Sequence, residues 1–569
     1  MVPLLSLLNV AVFALATGIG ATTDASESAT SGASFPSLRD VTLEDLQHGF
    51  EQGCFSSTDL VEVYLERIRQ VNEQVNAVTE VNPDAIDIAK RLDNERARNA
   101  IRGPLHGIPI LLKNNIATLD KMNNTDQAGS YALLGATVPR DSTIARKLRQ
   151  AGAVILGKAN LSQWANYRSS NSTNGWSALG GQVYAAYHPK QDPSGSSSGS
   201  GVAVDLGLAF AAVGTETSGS ILSPAERNNI VGIKPTVGLT SRHLVIPISE
   251  HQDTIGPMAR TVKDAAHLLQ AMAGQDPRDN YTLAIPFIPD YAAACDTEAL
   301  DGARIGVPWN VVLTADKPED QISSPELEAF RASIKVLQDA GAIVVEANFT
   351  IDKNPDHARN GDIVLQADFM TNLASYLDKL TSNPQELHTL AQVREFTRKT
   401  PVEQYPNRNT GLWDPIIDKL GFNNTDARFW AAYQSVLKSA QTNGILGALT
   451  RHNLSAVVLP TSLAPEWVAA IGAPGVTVPM GYFPASTAVT MEPRGELVEA
   501  GPSIPFGLSF LGRRWSEAHL IALAHGFEQR TWVRGRVRPL VMPEAEVAES
   551  AACQMPRAGY HRARVVASS

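Results

Sequence analysis

Hydrophobic positions along this chain follow two alternating patterns. In SSTDLVEVYLERIRQV the apolar side chains Leu60, Val61, Tyr64, Leu65, Ile68 and Val71 return at helical spacing. Ser56, with Asp59 three residues on, predicts a capping box at the helix start. GPLHGIPILLK then runs from a Gly/Pro turn into a short apolar strand that ends at Lys113. DSTIARKLRQAGAVILGKAN reads as a helix, a glycine stop and another strand. Further short apolar runs at 303–310, 341–349 and 455–462 are separated by helical stretches such as SPELEAFRASIKVLQDA. Strands alternating with helices predict an α/β fold with a mixed or largely parallel sheet. Residues 350–450 are helix-rich, carry Trp413 and Trp430, and read as an insertion or cap.

The two ends depart from this pattern. MVPLLSLLNVAVFALATGIGATT holds a short apolar run followed by small residues, and 1–21 reads as a secretory signal peptide, although no Lys or Arg precedes the run. The run is short for a membrane span, so no stable membrane insertion is expected. Residues 22–40 read as a Ser/Thr/Ala-rich linker, 41–540 as the folded domain and 541–569 as a tail. Asn123, Asn171, Asn348, Asn423 and Asn453 begin N-x-S/T triplets and are candidate glycosylation sites on a secretory route. Asn160 begins one too, but it follows a strand-like run and is expected to be buried.

Composition narrows the chemistry. The chain has 569 residues, 43% hydrophobic and 19% charged, with a net charge of −10. This is a globular composition without a basic stripe, so nucleic acid is excluded as an expected partner. Cys54, Cys295 and Cys553 form no CxxC pair and allow at most one disulfide. No HExxH occurs, and neither a metal nor a cofactor is called for. Oligomeric state is open.

One stretch resists the α/β reading. PSGSSSGSG, 193–201, has the composition of a flexible linker but stands between apparent core elements, which predicts a rigid, closely packed loop. Three serine chemistries compete. GSSSG fits the nucleophile elbow with Ser197 in the middle, but no strand precedes it. SVLK places Ser435 and Lys438 in S-x-x-K, in a stretch that reads as an ordinary helix. The third is a Ser–Ser–Lys arrangement.

That third arrangement is carried by a resemblance. GPLHGIPILLKNN, PSGSSSGSGVAV, GTETSGSILSPA, VGIKPTVGLTSR, QDTIGPMARTVKDAA and GAPGVTVPMGY occur in this order. Together they resemble the amidase signature family over about residues 45–535, in wording closer to the peptide amidases than to the amidotransferase members of the family. The resemblance implies one large domain with a central, mixed, twisted sheet covered by helices on both faces. It implies an amidase acting on linear, small-molecule or peptide amides through an acyl-enzyme, and the N-terminal run makes it a secreted one. Ser220 matches the nucleophile, Ser196 the proton relay and Lys113 the general base. A cis peptide is implied at Gly195–Ser196, and an oxyanion hole from the amides of Thr217, Ser218, Gly219 and Ser220. Ser196 and Ser218 are implied as substrate contacts. The alternatives are an amide-forming or ester-cleaving acyltransferase of the same family, or a catalytically weakened, non-enzymatic scaffold.

The chemistry fits these residue types. A serine hydroxyl attacks an amide poorly until its proton is taken. Free lysine, with a pKa of about 10.4, is protonated at neutral pH and serves as a base only where burial lowers that value. The apolar IPILL before Lys113 supplies such surroundings. Several positions depart from the family's wording: Ser194 and Ser198 stand in place of glycines, Ser218 in place of Gly or Asp, and Glu226, Arg227, Asn228 and Asn229 in place of a small apolar run. His106 reads as structural, and Asp253 with Arg260 as an internal brace. Trp164, Tyr167 and Trp176 line either a pocket or the core. Residues 350–450 and the region of Trp467 are expected to set substrate choice.

Overall fold

The computed structural model describes residues 35–122, 127–313, 322–350 and 357–548. Apart from Phe35 these belong to one compact unit, Pro36–Cys553. The signal-peptide reading, Asn123, Cys553 and most of the tail lie outside the described residues.

Most of the apolar runs become strands because their side chains are buried on both faces, whereas the edge strands at Val78–Val81 and Ile343–Glu346 are partly exposed. In chain order these strands are β1 (Val78–Val81), β2 (Pro109–Lys113), β3 (Val154–Ala159), β4 (Ala211–Glu216), β5 (Val231–Lys234), β6 (Thr254–Ala259), β7 (Arg304–Val307), β8 (Ile343–Glu346), β9 (Ala456–Pro460), β10 (Gly475–Tyr482) and β11 (Pro505–Leu511). They form one 11-stranded sheet in the order β1-β3-β2-β4-β6-β5-β10-β11-β9-β7-β8. β3, β2 and β4 are parallel, as are β9, β7 and β8, and the strands between run antiparallel. The sheet is therefore mixed, with helices flanking it. Every residue of β2, β3, β4 and β6 is buried, as expected of strands covered on both faces.

The predicted helices form at Ser57–Val75, Thr143–Gln150 and Ser324–Asp339. The capping box is present, with the Ser56 side chain taking the Asp59 amide and Asp59 returning the bond. The Gly/Ser stretch differs from a loop throughout: Ser198–Asp205 is a fully buried helix. Its glycines permit close backbone approach, since a Cβ at Gly199 would fall 2.2 Å from the Ala77 carbonyl oxygen and 2.7 Å from the Asn160 amide. The ends of the linker and tail are also packed. Leu38 is buried, and Glu546 accepts from the Leu38 amide and from Arg67.

Helices His357–Leu377, Leu390–Lys399, Ala427–Thr442 and Ile445–Arg451 make up most of the predicted helix-rich region. Trp413, fully buried, meets Trp164 edge-on at 5.6 Å, and Phe369 stacks on it at 6.3 Å. Its indole donates to the Tyr167 carbonyl. This cluster joins the helices to the segment around 128–136. Trp430, by contrast, is half exposed. Trp413→Ala should destabilise the protein by about 3–5 kcal/mol through cavity formation, measured by denaturant unfolding.

Candidate active site

Among the described residues three lysines are fully buried, Lys113, Lys158 and Lys234. Lys158 reaches the Ile116 carbonyl and Lys234 the Ala473 carbonyl. Lys113 ends on hydroxyls. Its Nζ lies 2.8 Å from Ser196 Oγ, 2.9 Å from Thr215 Oγ1 and 3.1 Å from the Thr215 carbonyl oxygen. The sheet makes this contact: Leu112 pairs with Val213 between parallel β2 and β4, so Lys113 and Thr215 leave the sheet at neighbouring carboxyl ends. Burial lowers the Lys113 amine to about 7, against an opposing pull from Glu216 and Asp253. A protonated amine donates to all three oxygens. A neutral one keeps two hydrogens for Thr215 and turns its lone pair to the Ser196 hydroxyl.

Ser196 follows a cis peptide at Gly195 and is fully buried. The Ser197 amide donates to the Ser220 carbonyl at 3.2 Å, which brings the two serine segments together. Ser197 itself is occupied structurally, exchanging hydrogen bonds with the Thr215 backbone at 3.2 and 3.3 Å, and no strand precedes it. Ser198 Oγ donates to the Ser194 carbonyl at 2.5 Å and Ser194 takes a left-handed φ of 58°. These serines close the turn around Gly195–Ser196, which accounts for their presence.

The segment 217–220 is held from below. Glu216, buried, accepts from the Ile221 and Leu222 amides at 2.7 and 2.9 Å, capping the helix Leu222–Arg227. Thr217 Oγ1 donates to Asp253 at 2.6 Å, and Asp253 also takes the Ile248 and Ser249 amides. Burial raises the Asp253 carboxyl to about 6. Gly219 has φ +81°, a conformation that favours glycine, and lies against Pro465. The amides of Thr217, Ser218, Gly219 and Ser220 make no hydrogen bond to another described group. Ser218 is exposed and Ser220 nearly buried.

The other singled-out residues separate cleanly. His106 is buried between the Leu92 carbonyl and the Arg102 amide, a structural place. Asp253 and Arg260 are not one brace: Arg260 donates to the Val41, Val204 and Ala209 carbonyls, whereas Asp253 holds Thr217. The 226–229 run faces inward. Asn228 donates to the Pro193 and Pro224 carbonyls, Asn229 to Tyr187 and the Arg534 carbonyl, and Glu226 accepts from the Gly507 amide. Burial pushes the Glu226 carboxyl up to about 8. Ser435 accepts from Asn360 inside the helix Ala427–Thr442. Trp164 belongs to the core, Tyr167 packs on Phe369, and Trp176 lines a cavity. Glu250, His251 and Asp368 offer ligand atoms within 4.8 Å of one another, but they are joined through His251–Asp368, Ser249–Asp368 and Asn424 hydrogen bonds. Cys54 is disulfide-bonded and Cys295 free. Thr215, Glu216 and the Thr217–Asp253 bond escaped the sequence reading, although Thr215 and Glu216 lie inside GTETSGS.

Residues 59–521 match the Amidase family profile. The chain belongs to the amidase signature family. A protein of Arthroderma benhamiae named as an amidase is 52% identical over 536 residues, covering 90% of this chain and 89% of its own. A protein of Arabidopsis thaliana, also named as an amidase, is 40% identical over 512 residues, covering 88% of this chain and 91% of its own. The structure of the native peptide amidase from Stenotrophomonas maltophilia superposes with a TM-score of 0.76 at 37% identity, covering 89% of this chain and 99% of its own. As a member of this family the chain is a hydrolase of amide C–N bonds.

The Lys113 amine also predicts a pH effect on stability. Between about pH 7 and the ordinary lysine value the unfolded chain holds a proton that the folded chain has released. Folding is therefore favoured increasingly as pH rises through that window. Lys113→Met should flatten this part of the profile, measured by denaturant unfolding at a series of pH values.

Proposed function

We propose that this chain is a secreted serine hydrolase of linear carboxylic amides, with Ser220 as nucleophile, Ser196 as proton relay and Lys113 as general base. The contact of 2.8 Å between Lys113 Nζ and Ser196 Oγ, in a buried site that holds the amine near neutrality, carries the reading. Neutral Lys113 takes the Ser196 proton while Ser196 takes that of Ser220. Ser220 Oγ attacks the amide carbonyl carbon, and the carbonyl π electrons move to oxygen. The free amides of 217–220 are the donors for that oxyanion, each such donor being worth ~100–1,000-fold in rate. As the tetrahedral intermediate collapses, the C–N bond breaks, Ser196 passes its proton to the leaving nitrogen, and Lys113 returns its proton to Ser196 and is again neutral. Water then repeats the cycle on the acyl-enzyme and frees the acid and Ser220.

The peptide amidase relative supports a peptide or small acyl amide as substrate. Secretion is supported by the apolar N-terminal run and by the exposure of Asn171, Asn348, Asn423 and Asn453, the candidate glycan acceptors among the described residues. No described helix is long and apolar enough to cross a membrane.

Lys113→Ala and Ser196→Ala should each lower kcat/KM for a peptide amide by ~100-fold or more, and Ser220→Ala should abolish labelling by a fluorophosphonate. Deprotonation of Lys113 creates the base, so kcat/KM should rise with pH through about 7 and then level. A flat profile across that range, or full turnover in either alanine variant, would remove these roles.

A further inference from the structure

A cavity of about 220 Å³ adjoins the proposed catalytic residues without containing them. Asn166 and Asn174 line it, and a Cβ at Gly195 would fall 3.0 and 3.2 Å from their side-chain amides. Gly195, the residue that precedes Ser196, therefore packs against one wall. A second wall is a left-handed turn at Trp164, Ala165 and Asn166, with φ of 52°, 54° and 66°. Non-glycine residues adopt this conformation rarely, and runs of it collect at functional sites. The turn places Ala165 in a smaller cavity with Thr215, Thr217 and Asp253, and Asn166 in the larger one. The larger cavity is thus linked to the Ser196 segment through Asn166 and Asn174, which pack on Gly195.

The lining has a definite charge. It carries two guanidinium groups, Arg168 and Arg408, and no carboxylate. Both arginines are more than nine-tenths buried, at 2% and 6% exposure. Arg168 is tied to Glu403, which stands outside the lining, and its Nε has no partner among the described residues. Arg408 lies over the Trp176 ring at 4.4 Å. One of its Nη atoms donates to Ser172 and Thr173 at 2.9 and 3.0 Å, and the other to Glu496 at 2.9 Å. Glu496 is also outside the lining, has a side chain 41% exposed, and is held by Arg494 as well at 2.7 Å. Arg408 Nε donates to Gln404 at 3.2 Å, so a carboxylate entering the cavity takes the Nη that faces Glu496, and Glu496 stays paired with Arg494. Burial strengthens such a charge-assisted bond.

We propose that this cavity binds a carboxylate on the acyl part of the amide substrate, with Arg408 as the recognising residue and Trp176 beneath it. The preferred substrates are then peptide amides with an acidic side chain near the amidated end. This rests on Ser220 being the acylated residue.

The test is a pair of N-acetylated dipeptide amides that differ only at the residue before the amidated one, Glu in one and Gln in the other. In the wild-type protein kcat/KM for the Glu member should be about tenfold or more higher, through KM rather than kcat. Arg408→Gln should bring the ratio near one. Glu496→Gln releases Arg408 from its resident carboxylate and should raise the ratio severalfold. Because Glu496 is at the rim, this variant decides the matter even if Arg408→Gln does not fold. A wild-type ratio at or below one, or a ratio unmoved by Glu496→Gln, overturns the proposal. Fluorophosphonate labelling of wild type keeps the two readings apart. Labelling and turnover of the Gln member without a Glu preference sink the subsite alone, whereas no labelling and no turnover sink the hydrolase mechanism.

Discussion

Everything in the site depends on one buried amine. Lys113 is removed from water at the end of a strand whose neighbours are also fully buried. Desolvation favours its neutral form, and the nearby carboxylates of Glu216 and Asp253 oppose that trend. The outcome near neutrality is a balance of these effects, and it requires both of them. Without burial the amine stays protonated and cannot accept a proton. Without Ser196 and Thr215 it is a polar group stranded in the core, which is costly.

The same requirement explains the architecture around it. Parallel pairing of β2 with β4 brings Lys113 and Thr215 out of the sheet side by side. At the end of β4, Glu216 caps the helix that follows Ser220, and just beyond it Thr217 is fastened to Asp253. Asp253 also holds the Ile248 and Ser249 amides, and Ser249 Oγ donates to Asp368 in the helix His357–Leu377. The 217–220 segment is thereby connected to the helix-rich region through a short series of hydrogen bonds. That region holds one loop of the site and lines space near it.

Buried carboxylates and amides near Ser220 follow the same logic. Glu226, Asn228 and Asn229 stand where small apolar residues were expected, yet they carry out structural work at the back of the helix. Asn228 ties that helix to Pro193, at the start of the Gly/Ser stretch. A polar side chain near Ser220 is thus not by itself a substrate contact; its hydrogen-bond partners decide which it is.

The sequence by itself determined the α/β alternation, the strands ending at Lys113 and at 456–460, and the capped helix after Ser56, because these follow from local spacing of apolar residues and from short-range capping. It also marked Lys113, Ser196 and Ser220, through motifs held in short segments. What it left open was whatever depends on partners distant along the chain. Composition and core-like flanks read 193–201 as a rigid, packed loop, whereas packing against Ala77, Asn160 and Asn228 makes 198–201 the first turn of a helix. Thr215 as a lysine partner, Asp253 as the support of Thr217, and the meeting of Arg408 with Trp176 all join residues separated by tens to hundreds of positions. Only tertiary structure decides these, since burial, and with it the charge state of Lys113, exists only once the sheet has closed over it.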